Sequence, residues 1–344
     1  MSKLRILIQG IGGIGGVVAG RLQRAGYKPV LVTSNPAITE AIEKNGLQIK
    51  TLKEDFSQEA EVYTSLDELP PGSIFDVALL IMKANPVVEV AKASLSYLEP
   101  ENGYLVTCQN GIVEDAVAEA VGAGKVVSGI IGWGGTMHAP GVYEKTGPGG
   151  IHLGELDGSL SDRIKRLGSA LKLVSPVEIT RNIRGALWSK LGINCTITTL
   201  GALTGDSLGD MCKNKKVRRA FLVVYREVVD TAQALGIKLE RVAADPYLLY
   251  LPKDAGKLKR FYKDKLVQIV GKKYGKLKSS SLQSLERGRK TEIDYLNGYV
   301  VKHAAQAGLE VPLNAALTKM IKEIETASRK IEKKNMDELI GLLE

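Results

Sequence analysis

The stretch that decides the fold is LRILIQGIGGIGGVVAGRLQRAG, residues 4–26 of the chain. Its first six residues are rich in leucine and isoleucine, which is typical of a strand buried on both faces of a parallel sheet. The turn GIGGIG (10–15) follows, and VVAGRLQRAG (17–26) has the pattern of a helix that ends at Gly26. Strand, GxGxxG and helix in this order form the fingerprint of a dinucleotide-binding unit.

The glycines of this fingerprint have different physical tasks. Gly10 permits the tight turn, Gly12 lets the backbone approach a pyrophosphate, and Gly15 lets the helix pack on the strand. The helix N-terminus adds unpaired N–H groups and the positive end of its dipole. We therefore predict that the turn binds a dinucleotide rather than serving only as a glycine-rich loop. The residues assigned to the cofactor here are Gly10, Gly12, Gly13, Ile14 and Gly15.

The end of the second strand, in PVLVTSN (29–35), bears on which dinucleotide binds. A site specific for NAD commonly places Asp or Glu there, to bind the adenosine 2′-hydroxyl. This chain has Thr33, Ser34 and Asn35 instead. Because no carboxylate would repel a 2′-phosphate, we expect NADPH (NADP+) as the cofactor, with Ser34 and Asn35 beside it. The arginine that often accompanies NADPH is also absent, so this preference rests on the missing carboxylate.

Two further buried strands are predicted in DVALLIMKAN (76–85) and YLVTCQNGI (104–112). Ligands of open parallel sheets bind beyond the carboxyl ends of the strands, which places Lys83 and Asn110 at the cofactor. Taken singly, Asn110 would also suit a turn and Lys83 a solvated strand end. Their shared position relative to the glycine turn favours a role in binding.

The length of 344 residues favours two domains. The segment 129–156 alternates short strands with glycine turns and is predicted to extend the sheet, and a helix over 159–172 completes the first domain. We predict an α/β domain with a mostly parallel sheet over residues 1–178 and an all-α domain over residues 179–344.

Apolar residues at helical spacing dominate the second domain. Residues 215–236 are predicted to form one helix, and residues 279–308 to form two helices that meet near Gly288. Thr291 could cap the second of these helices through its hydroxyl. The charged tail 329–344 is predicted to be an exposed terminal helix.

The formal net charge of +9 is unevenly distributed. Residues 1–178 contain 16 Lys and Arg against 20 Asp and Glu, whereas residues 179–344 contain 31 against 18. Much of the excess lies in the basic segment Lys253–Lys278. Such a segment could bind nucleic acid, but no nucleic-acid-binding signature accompanies it. We interpret it as a solvated helical face or as a field that attracts an anionic cofactor or substrate.

Composition also excludes other classes of protein. The N-terminal apolar run is too short for a signal peptide or a membrane span. Three widely spaced cysteines and three scattered histidines predict neither a disulfide framework nor a metal site. We therefore expect a cytoplasmic protein with reduced thiols that binds no membrane and no nucleic acid.

Two polar clusters stand out in the second domain. In ALWSKLGINC (186–195), Lys190 and Asn194 are one turn apart on one face of an otherwise apolar helix. In SSSLQSLERGRKTE (279–292), the cluster consists of Ser279, Ser280 and Ser281, followed by Arg287, Arg289 and Glu292. Lys190 could simply pack its methylenes on the apolar surface while its amine reaches water. In the second cluster, the serines could start a helix and Glu292 could complement the helix dipole. From spacing alone, structural and functional explanations both stay open.

Through these motifs the sequence resembles the ketopantoate reductase (2-dehydropantoate 2-reductase) family over nearly the whole chain. The motifs are, in order, the glycine fingerprint, MKAN (82–85), QNG (109–111), WSKLGIN (188–194) and SSSLQSLERGRKTEIDYLNG (279–298). The resemblance implies an N-terminal Rossmann domain and an all-helical C-terminal domain, with the active site in the cleft between them. It also implies reduction of the ketone of a small 2-oxo acid by NADPH, and a homodimer.

The resemblance further implies roles for single residues. Lys190 matches the catalytic lysine that protonates the carbonyl oxygen as hydride arrives. Asn194 and Asn110 match residues that contact the substrate near the reacting centre. Ser280 matches a serine that binds the substrate carboxylate, and Glu292 matches an acid that supports the lysine and the substrate hydroxyl.

On the cofactor side, Lys83 matches a lysine of the family, and Asn110 and Glu292 are assigned there as well. The sequence departs from the family pattern in two places. Ser284 stands where an acidic residue is common, and TSN (33–35) replaces a familiar basic residue. These departures leave open which 2-oxo acid and which nicotinamide cofactor the chain prefers.

The expected activity is reduction of ketopantoate to pantoate in pantothenate and coenzyme A synthesis. The alternative within the same class is a paralogue that reduces a different 2-oxo acid or ketone. The alternative outside the enzymes is a non-catalytic nucleotide sensor or nucleic-acid-binding protein. The lysine speaks against it, because such a protein would not need a proton donor.

Overall fold

The computed structural model describes residues 3–51, 55–242, 244–273, 275 and 278–343. They form two compact units. The first unit ends at Ile183 and leaves out Asn110–Ile112, which group with the second unit, from Arg184 onward.

The first unit is built on strands and helices in alternation. Its described strands are β1 (Ile6–Gln9), β2 (Val30–Val32), β3 (Leu47–Lys50), β4 (Phe56–Gln58), β5 (Val62–Tyr63), β6 (Val77–Leu80), β7 (Tyr104–Thr107), β8 (Val126–Ile131), β9 (Gly135–Ala139), β10 (Val142–Lys145), β11 (Ile151–Glu155) and β12 (Val177–Ile179). Its helices are α1 (Gly13–Arg24), α2 (Pro36–Asn45), α3 (Val87–Ser94), α4 (Glu114–Val121) and α5 (Asp162–Leu171).

Eight strands form the main sheet in the order β12-β11-β8-β7-β6-β1-β2-β5. Neighbouring strands run parallel, except β8 and β11, which are antiparallel. All four residues of β1 are buried, as expected for an apolar strand with neighbours on both sides and layers on both faces. The predicted α/β class with a mostly parallel sheet is confirmed.

The prediction for the segment 129–156 is wrong in part. Its outer strands, β8 and β11, belong to the main sheet, but β9 and β10 leave it and form a second sheet in the order β4-β3-β10-β9. In that sheet β10 runs parallel to β3, almost a hundred residues earlier in the chain. Local periodicity carries no signal for such a distant pairing, and this is why the sequence did not predict the second sheet.

The second sheet packs against α1 through glycines. A Cβ atom on Gly16 would overlap the ring of Tyr143, and one on Gly20 would overlap the side chain of Ile49. Tyr143 cannot move aside easily, because it is fully buried and its hydroxyl donates a hydrogen bond to the carbonyl oxygen of Ile11 (3.2 Å). The glycines of α1 therefore let the helix contact both sheets closely.

The regular elements described in the second unit are all helical. They are α6 (Ile183–Ile193), a π-helical turn (Asn194–Thr198), α7 (Thr199–Thr204), α8 (Leu208–Lys213), α9 (Lys215–Ala234), α10 (Lys257–Lys273), α11 (Ser280–Glu286), α12 (Asn297–Gln306), α13 (Pro312–Glu325) and α14 (Asn335–Gly341), together with short 3₁₀ turns. The predicted all-α class of this domain is confirmed.

Two predicted boundaries differ from the structure. The first unit continues past residue 178, because β12 pairs with β11 in the main sheet. The two helices of 279–308 do not meet near Gly288. A linker separates α11 from α12, and Thr291 lies inside it, where its hydroxyl accepts a hydrogen bond from Ile293 N (3.2 Å). Local serine and threonine bonding of this kind competes with helix formation.

The C-terminal tail is also less exposed than predicted. Met336, Leu339 and Ile340 of α14 are buried, and α14 packs against α7 and α9. The charged residues of the tail suggested a solvated helix, but its apolar residues recur at helical spacing and cover one side of the unit.

The basic segment Lys253–Lys278 consists mainly of α10, and its residues 274, 276 and 277 lie outside the described part of the chain. Large apolar side chains of α10 are exposed beside the lysines: Leu258 is 82% exposed, Phe261 61% and Tyr262 69%. Charge alone therefore does not describe the surface of this helix.

In the described residues, no helix is both long and apolar enough to cross a membrane. Over the same residues, His, Cys, Asp and Glu side chains form no group of three or more that could hold a metal ion.

The packing of α1 gives a test of the fold. Gly16→Ala should lower the free energy of unfolding by about 1–3 kcal/mol, because the added methyl group meets the immobile Tyr143 ring. Gly124→Ala in the same unit is the control, since a Cβ there meets nothing within 4 Å. Chemical denaturation followed by circular dichroism measures both. Equal stability of the two variants would contradict the close packing of α1.

Candidate active site

The glycine turn joins β1 to α1 in a conformation that depends on missing side chains. Gly10 has a φ of +94°, a left-handed value that favours glycine, and its N–H donates to the carbonyl oxygen of Val32 (2.9 Å). A Cβ on Gly10 would lie 2.7 Å from the backbone nitrogen of Met82, and one on Gly15 would overlap the carbonyl oxygen of Gly10. The turn is therefore compressed between the start of α1 and the end of β6.

Gly12 differs from its neighbours because it faces open space. A Cβ atom there would meet no atom within 4 Å, and the residue is exposed. Gly12 is also the N-cap of α1, so no side chain caps the first turn of the helix. An uncapped helix start with free space in front of it fits the phosphates of a dinucleotide. The space around Gly12 is thus compatible with the predicted cofactor.

Ser34 and Asn35 lie directly after β2, in the loop that leads into α2. Both residues are exposed, whereas Thr33 is buried. Asn35 has a structural task as well, because its side-chain oxygen accepts a hydrogen bond from Ala37 N (3.2 Å) and caps α2. The hydroxyl of Ser34 and the side-chain nitrogen of Asn35 could bind the adenosine ribose or phosphate of the predicted cofactor.

Lys83 follows β6 by three residues and is exposed next to the glycine turn. A residue that the sequence reasoning did not assign, Gln109, shapes this segment. Its side-chain Nε2 donates to the carbonyl oxygens of Leu80 (2.8 Å) and Met82 (3.3 Å). Gln109 is buried, so it fixes the backbone that leads into Lys83. A glutamine at the end of an otherwise apolar strand was the available signal.

Asn110 belongs to the second unit although it follows a strand of the first. The N–H of Ile112 donates to the carbonyl oxygen of Tyr295 (3.0 Å). Gly111 has a φ of +87°, and any Cβ on it would overlap that carbonyl group. The glycine of QNG is therefore required by close backbone contact with Tyr295, three residues after Glu292, and the half-buried Asn110 directly precedes it.

Lys190 lies in the last turn of α6, a helix that is buried almost throughout. The residues around it from Gly185 to Ser189 and Leu191 are buried, and the ring of Trp188 packs edge-on against Tyr299 (5.7 Å between centroids). Lys190 itself is half-buried. Lys190 therefore lies on an otherwise largely buried helix.

Asn194 follows Lys190 by four residues and is the first residue of the π-helical turn. Its side-chain nitrogen, Nδ2, is shielded from solvent and has no hydrogen-bond partner among the residues that the structure describes. A buried donor without a partner costs about 1–3 kcal/mol, so native proteins rarely keep one without a reason. A bound ligand that accepts this hydrogen bond would supply the reason.

Ser280 is the first residue of α11, which packs against α7 and the π-helical turn. Its predecessor Ser279 caps the helix through a hydrogen bond from Leu282 N (3.1 Å), and it lies against Gly201 of α7. The structure thus separates the roles of the serine-rich motif. Ser279 starts the helix, and the half-buried Ser280 is not needed for the cap.

Glu292 is 4% exposed, and hydrogen bonds hold the backbone around it. Both the N–H and the hydroxyl of Thr291 donate to one carboxylate oxygen of Glu325 (2.6 Å each). The N–H of Tyr295 donates to the carbonyl oxygen of Glu292 (3.0 Å). These bonds fix the backbone of Glu292 and hence the direction in which its carboxylate can act.

The predicted residues divide cleanly between the two units. The glycine turn, Ser34, Asn35 and Lys83 belong to the first unit, and the five residues of the second unit are Asn110, Lys190, Asn194, Ser280 and Glu292. Asn110 lies in the loop after β7, and the other four residues of the second unit lie on α6, on the π-helical turn, on α11 and on the linker before α12.

Cys195 follows Asn194 directly but is not a candidate nucleophile. It is completely buried, and burial raises the pKa of its thiol well above the usual value. The chemical groups of the candidate site in the second unit are therefore the ammonium of Lys190, the amides of Asn110 and Asn194, the hydroxyl of Ser280 and the carboxylate of Glu292.

Two family models match the chain along most of its length. The model described as "Ketopantoate reductase PanE/ApbA" matches residues 6–158, and the one described as "Ketopantoate reductase PanE/ApbA C terminal" matches residues 182–325. The chain belongs to the ketopantoate reductase family. It is accordingly an oxidoreductase acting on CH–OH groups, of a family that uses a nicotinamide cofactor.

Relatives and solved structures agree with this membership. The 2-dehydropantoate 2-reductase of Pyrococcus abyssi is 27% identical over 95% of this chain and 100% of its own, and that of Archaeoglobus fulgidus is 24% identical over 95% and 99%. A ketopantoate reductase family structure from Ralstonia eutropha JMP134 has a TM-score of 0.79 at 25% identity, over 95% of this chain and 100% of its own.

D-mandelate dehydrogenase, solved with NADH and anilino(oxo)acetate, is also similar to this ketopantoate reductase family member. Its TM-score is 0.80 at 19% identity, over 94% of this chain and 99% of its own. At this identity the similarity is one of fold.

Thiol accessibility tests the description of the site. In the folded protein near pH 8, a small alkylating reagent should modify Cys108, which is half-buried, and leave Cys195 and Cys212 unmodified. Burial raises the pKa of Cys212 to about 11, so its reactivity should appear only as the pH rises toward that value. Mass spectrometry of digested protein locates the label, and unfolded protein, in which all three thiols react, is the control. Early labelling of Cys195 would contradict its burial.

Proposed function

We propose that this chain is a 2-dehydropantoate 2-reductase that reduces ketopantoate to pantoate with NADPH, as a step in pantothenate and coenzyme A synthesis. The observation that carries the proposal is the buried, unpartnered Nδ2 of Asn194, one helical turn from the half-buried Lys190. A hydrogen-bond donor and a cation on one face suit a substrate whose ketone oxygen becomes negatively charged. The names of the full-length relatives support the same activity.

The nicotinamide cofactor, when bound, supplies the hydride that reduces the carbonyl carbon. In our proposal the Nζ of Lys190 donates its proton to the ketone oxygen as negative charge develops there, which makes Lys190 the general acid. Lys190 is half-buried on a helix whose other residues are mostly apolar. Asn194 donates from Nδ2 to the same oxygen and orients it.

The remaining residues bind the substrate in this proposal. The hydroxyl of Ser280 donates a hydrogen bond to the carboxylate of the 2-oxo acid, and Asn110 donates a further bond near the reacting centre. The carboxylate of Glu292 accepts a hydrogen bond from a substrate hydroxyl or from Lys190, and its anchored backbone keeps it in place. The net charge of the second half of the chain attracts the anionic substrate.

A paralogue that reduces a different 2-oxo acid or ketone is the second candidate. It is favoured by Ser284, which stands where the family commonly has an acidic residue and which is buried in α11. The Ser284 hydroxyl donates to the carbonyl oxygen of Ser280 (3.0 Å), one turn back in the helix. The side chain at this position therefore touches the backbone of the residue proposed to bind the carboxylate.

The cytoplasmic location, the homodimer and the lack of binding to membranes or nucleic acids stay predictions. Size-exclusion chromatography with light scattering tests the homodimer, and a high-salt wash followed by an absorbance ratio tests retained nucleic acid.

The general-acid role gives a direct test. Lys190→Ala should lower kcat about 10²- to 10⁴-fold, the usual contribution of a general acid. Lys190→Arg keeps the charge, but a guanidinium does not release its proton near neutral pH, so it should also be severely impaired. Lys302→Ala, which removes an exposed lysine of α12, is the matched control. Turnover by Lys190→Ala at the wild-type rate would rule out the mechanism.

A substrate and cofactor panel tests the rest of the proposal. Oxidation of NADPH and of NADH is followed with ketopantoate and with other 2-oxo acids, and we expect the highest kcat/KM with ketopantoate and NADPH. Ser34→Asp should lower kcat/KM for NADPH at least about tenfold and leave NADH nearly unaffected, because a carboxylate repels the 2′-phosphate. Ser96→Asp, the same change at an exposed site, is the control.

Two results would count against this assignment. A different 2-oxo acid as the preferred substrate would favour the paralogue, and equal kcat/KM for NADPH and NADH in the wild type would show that the loop after β2 does not discriminate between them.

A further inference from the structure

The π-helical turn Asn194–Thr198 interrupts the helix that carries Lys190, and it needs support from outside. In a π-helical turn each hydrogen bond spans one more residue than in an α-helix, so carbonyl groups at its edges lose their usual partners. Within the turn, the hydroxyl of Thr196 lies within hydrogen-bond distance of the carbonyl oxygens of Gly192 (3.1 Å) and Ile193 (2.8 Å). The turn partly supports itself in this way.

The external support comes from Asn297, the first residue of α12. Its Nδ2 donates to the carbonyl oxygen of Cys195 (3.2 Å), and its Oδ1 accepts from the hydroxyl of Thr199 (2.6 Å). One amide group therefore spans the turn from near its start to just past its end. Asn297 is fully buried, so water does not compete for these bonds.

A second buried asparagine fixes the orientation of Asn297. The Oδ1 of Asn314 accepts from Nδ2 of Asn297 (2.9 Å), while the Nδ2 of Asn314 donates to the carboxylate of Glu227 (2.7 Å). The same carboxylate accepts from the N–H groups of Leu313 (3.1 Å) and Asn314 (2.9 Å) at the start of α13. The Nδ2 of Asn314 also donates to the carbonyl oxygen of Val224 (3.2 Å), and because a carbonyl oxygen is only an acceptor, the nitrogen of Asn314 faces that side and its oxygen faces Asn297.

Asn297 also connects two parts of the candidate site. It follows Glu292 by five residues, and its bond to Cys195 falls on the residue next to Asn194. The Nδ2 of Asn194 has no hydrogen-bond partner among the described residues, so no bond to that atom orients the amide, and its position follows the backbone of the turn. Displacement of the turn would move Asn194 relative to both Lys190 and Glu292.

We propose that Asn297 is a positioning residue for the reduction: by bracing the π-helical turn, it sets the direction of the Asn194 amide relative to Lys190 and Glu292. This inference rests on the proposed function. Asn297 acts through Asn194 and touches neither substrate nor cofactor.

The test compares Asn297→Ala and Thr199→Val with Asn335→Ala. Asn335 is a matched control, because it is buried and its Nδ2 also donates to backbone carbonyl oxygens, those of Leu203 (3.1 Å) and Lys330 (2.9 Å), neither of which belongs to the π-helical turn. Steady-state kinetics with ketopantoate and NADPH are normalised to folded protein. Hydrogen–deuterium exchange of the peptide spanning residues 190–199 reports on the turn independently of activity.

For Asn297→Ala we expect kcat/KM for the 2-oxo acid to fall about tenfold to hundredfold, with a higher KM for the 2-oxo acid and an unchanged KM for NADPH. Thr199→Val should show a smaller change of the same kind, and exchange in 190–199 should accelerate in both. Asn335→Ala should keep the wild-type kcat and the wild-type KM for both the 2-oxo acid and NADPH. The rates are normalised to folded protein, and a loss of folded protein alone does not change KM. If Asn297→Ala fails to fold, the kinetics and the exchange of Thr199→Val decide whether Asn297 has the positioning role.

Wild-type kinetics in Asn297→Ala, or equal losses in Asn297→Ala and Asn335→Ala without a change in KM, would overturn the positioning role and leave the proposed function intact. A wild-type enzyme that reduces no 2-oxo acid would instead overturn the proposed function, and the inference with it.

Discussion

The first unit depends on backbone contacts that only glycine permits along the first half of α1. Its start lies against the turn after β1, and its middle lies against the second sheet, so a side chain at Gly15 or Gly16 would collide with the carbonyl oxygen of Gly10 or with the ring of Tyr143. Because α1 is closely packed on two sides, it cannot shift to make room for an added side chain. The same compression leaves Gly12 facing open space, which is where a phosphate group needs access.

The second unit depends on a different device, a chain of buried polar groups that are fully paired. Glu227 holds the start of α13, Asn314 connects it to Asn297, and Asn297 braces the π-helical turn. Burial raises the pKa of Glu227, whereas the N–H groups that donate to it favour its charged form. A network of this kind has one arrangement in which every donor and acceptor is satisfied, and it therefore specifies geometry more than stability. The one buried amide beside it that lacks a described partner is Nδ2 of Asn194.

Several residues of the motifs have structural tasks that explain their chemical type without a ligand. Asn35 caps α2, Ser279 caps α11, and Gly111 allows a backbone contact with Tyr295. Lys190 and Asn194 are different, because neither a cap nor a turn requires them. This contrast separates the residues with a structural task from those that we propose contact the substrate, and spacing in the sequence could not make that distinction.

The sequence by itself determined the fold class, the order of the two domains and the family, because these follow from local signals. The strand, glycine turn and helix of residues 4–26 are contiguous, and WSKLGIN and the serine-rich motif are short stretches that can be read without knowing their neighbours. Tertiary structure decided the rest. The pairing of β10 with β3, the burial of α14 and the bond from Asn297 to Cys195 join residues that are distant in the chain. Such contacts depend on shape and on mutual satisfaction of hydrogen bonds across the folded chain; a local pattern can mark an apolar face, as in α14, but not the element that packs against it.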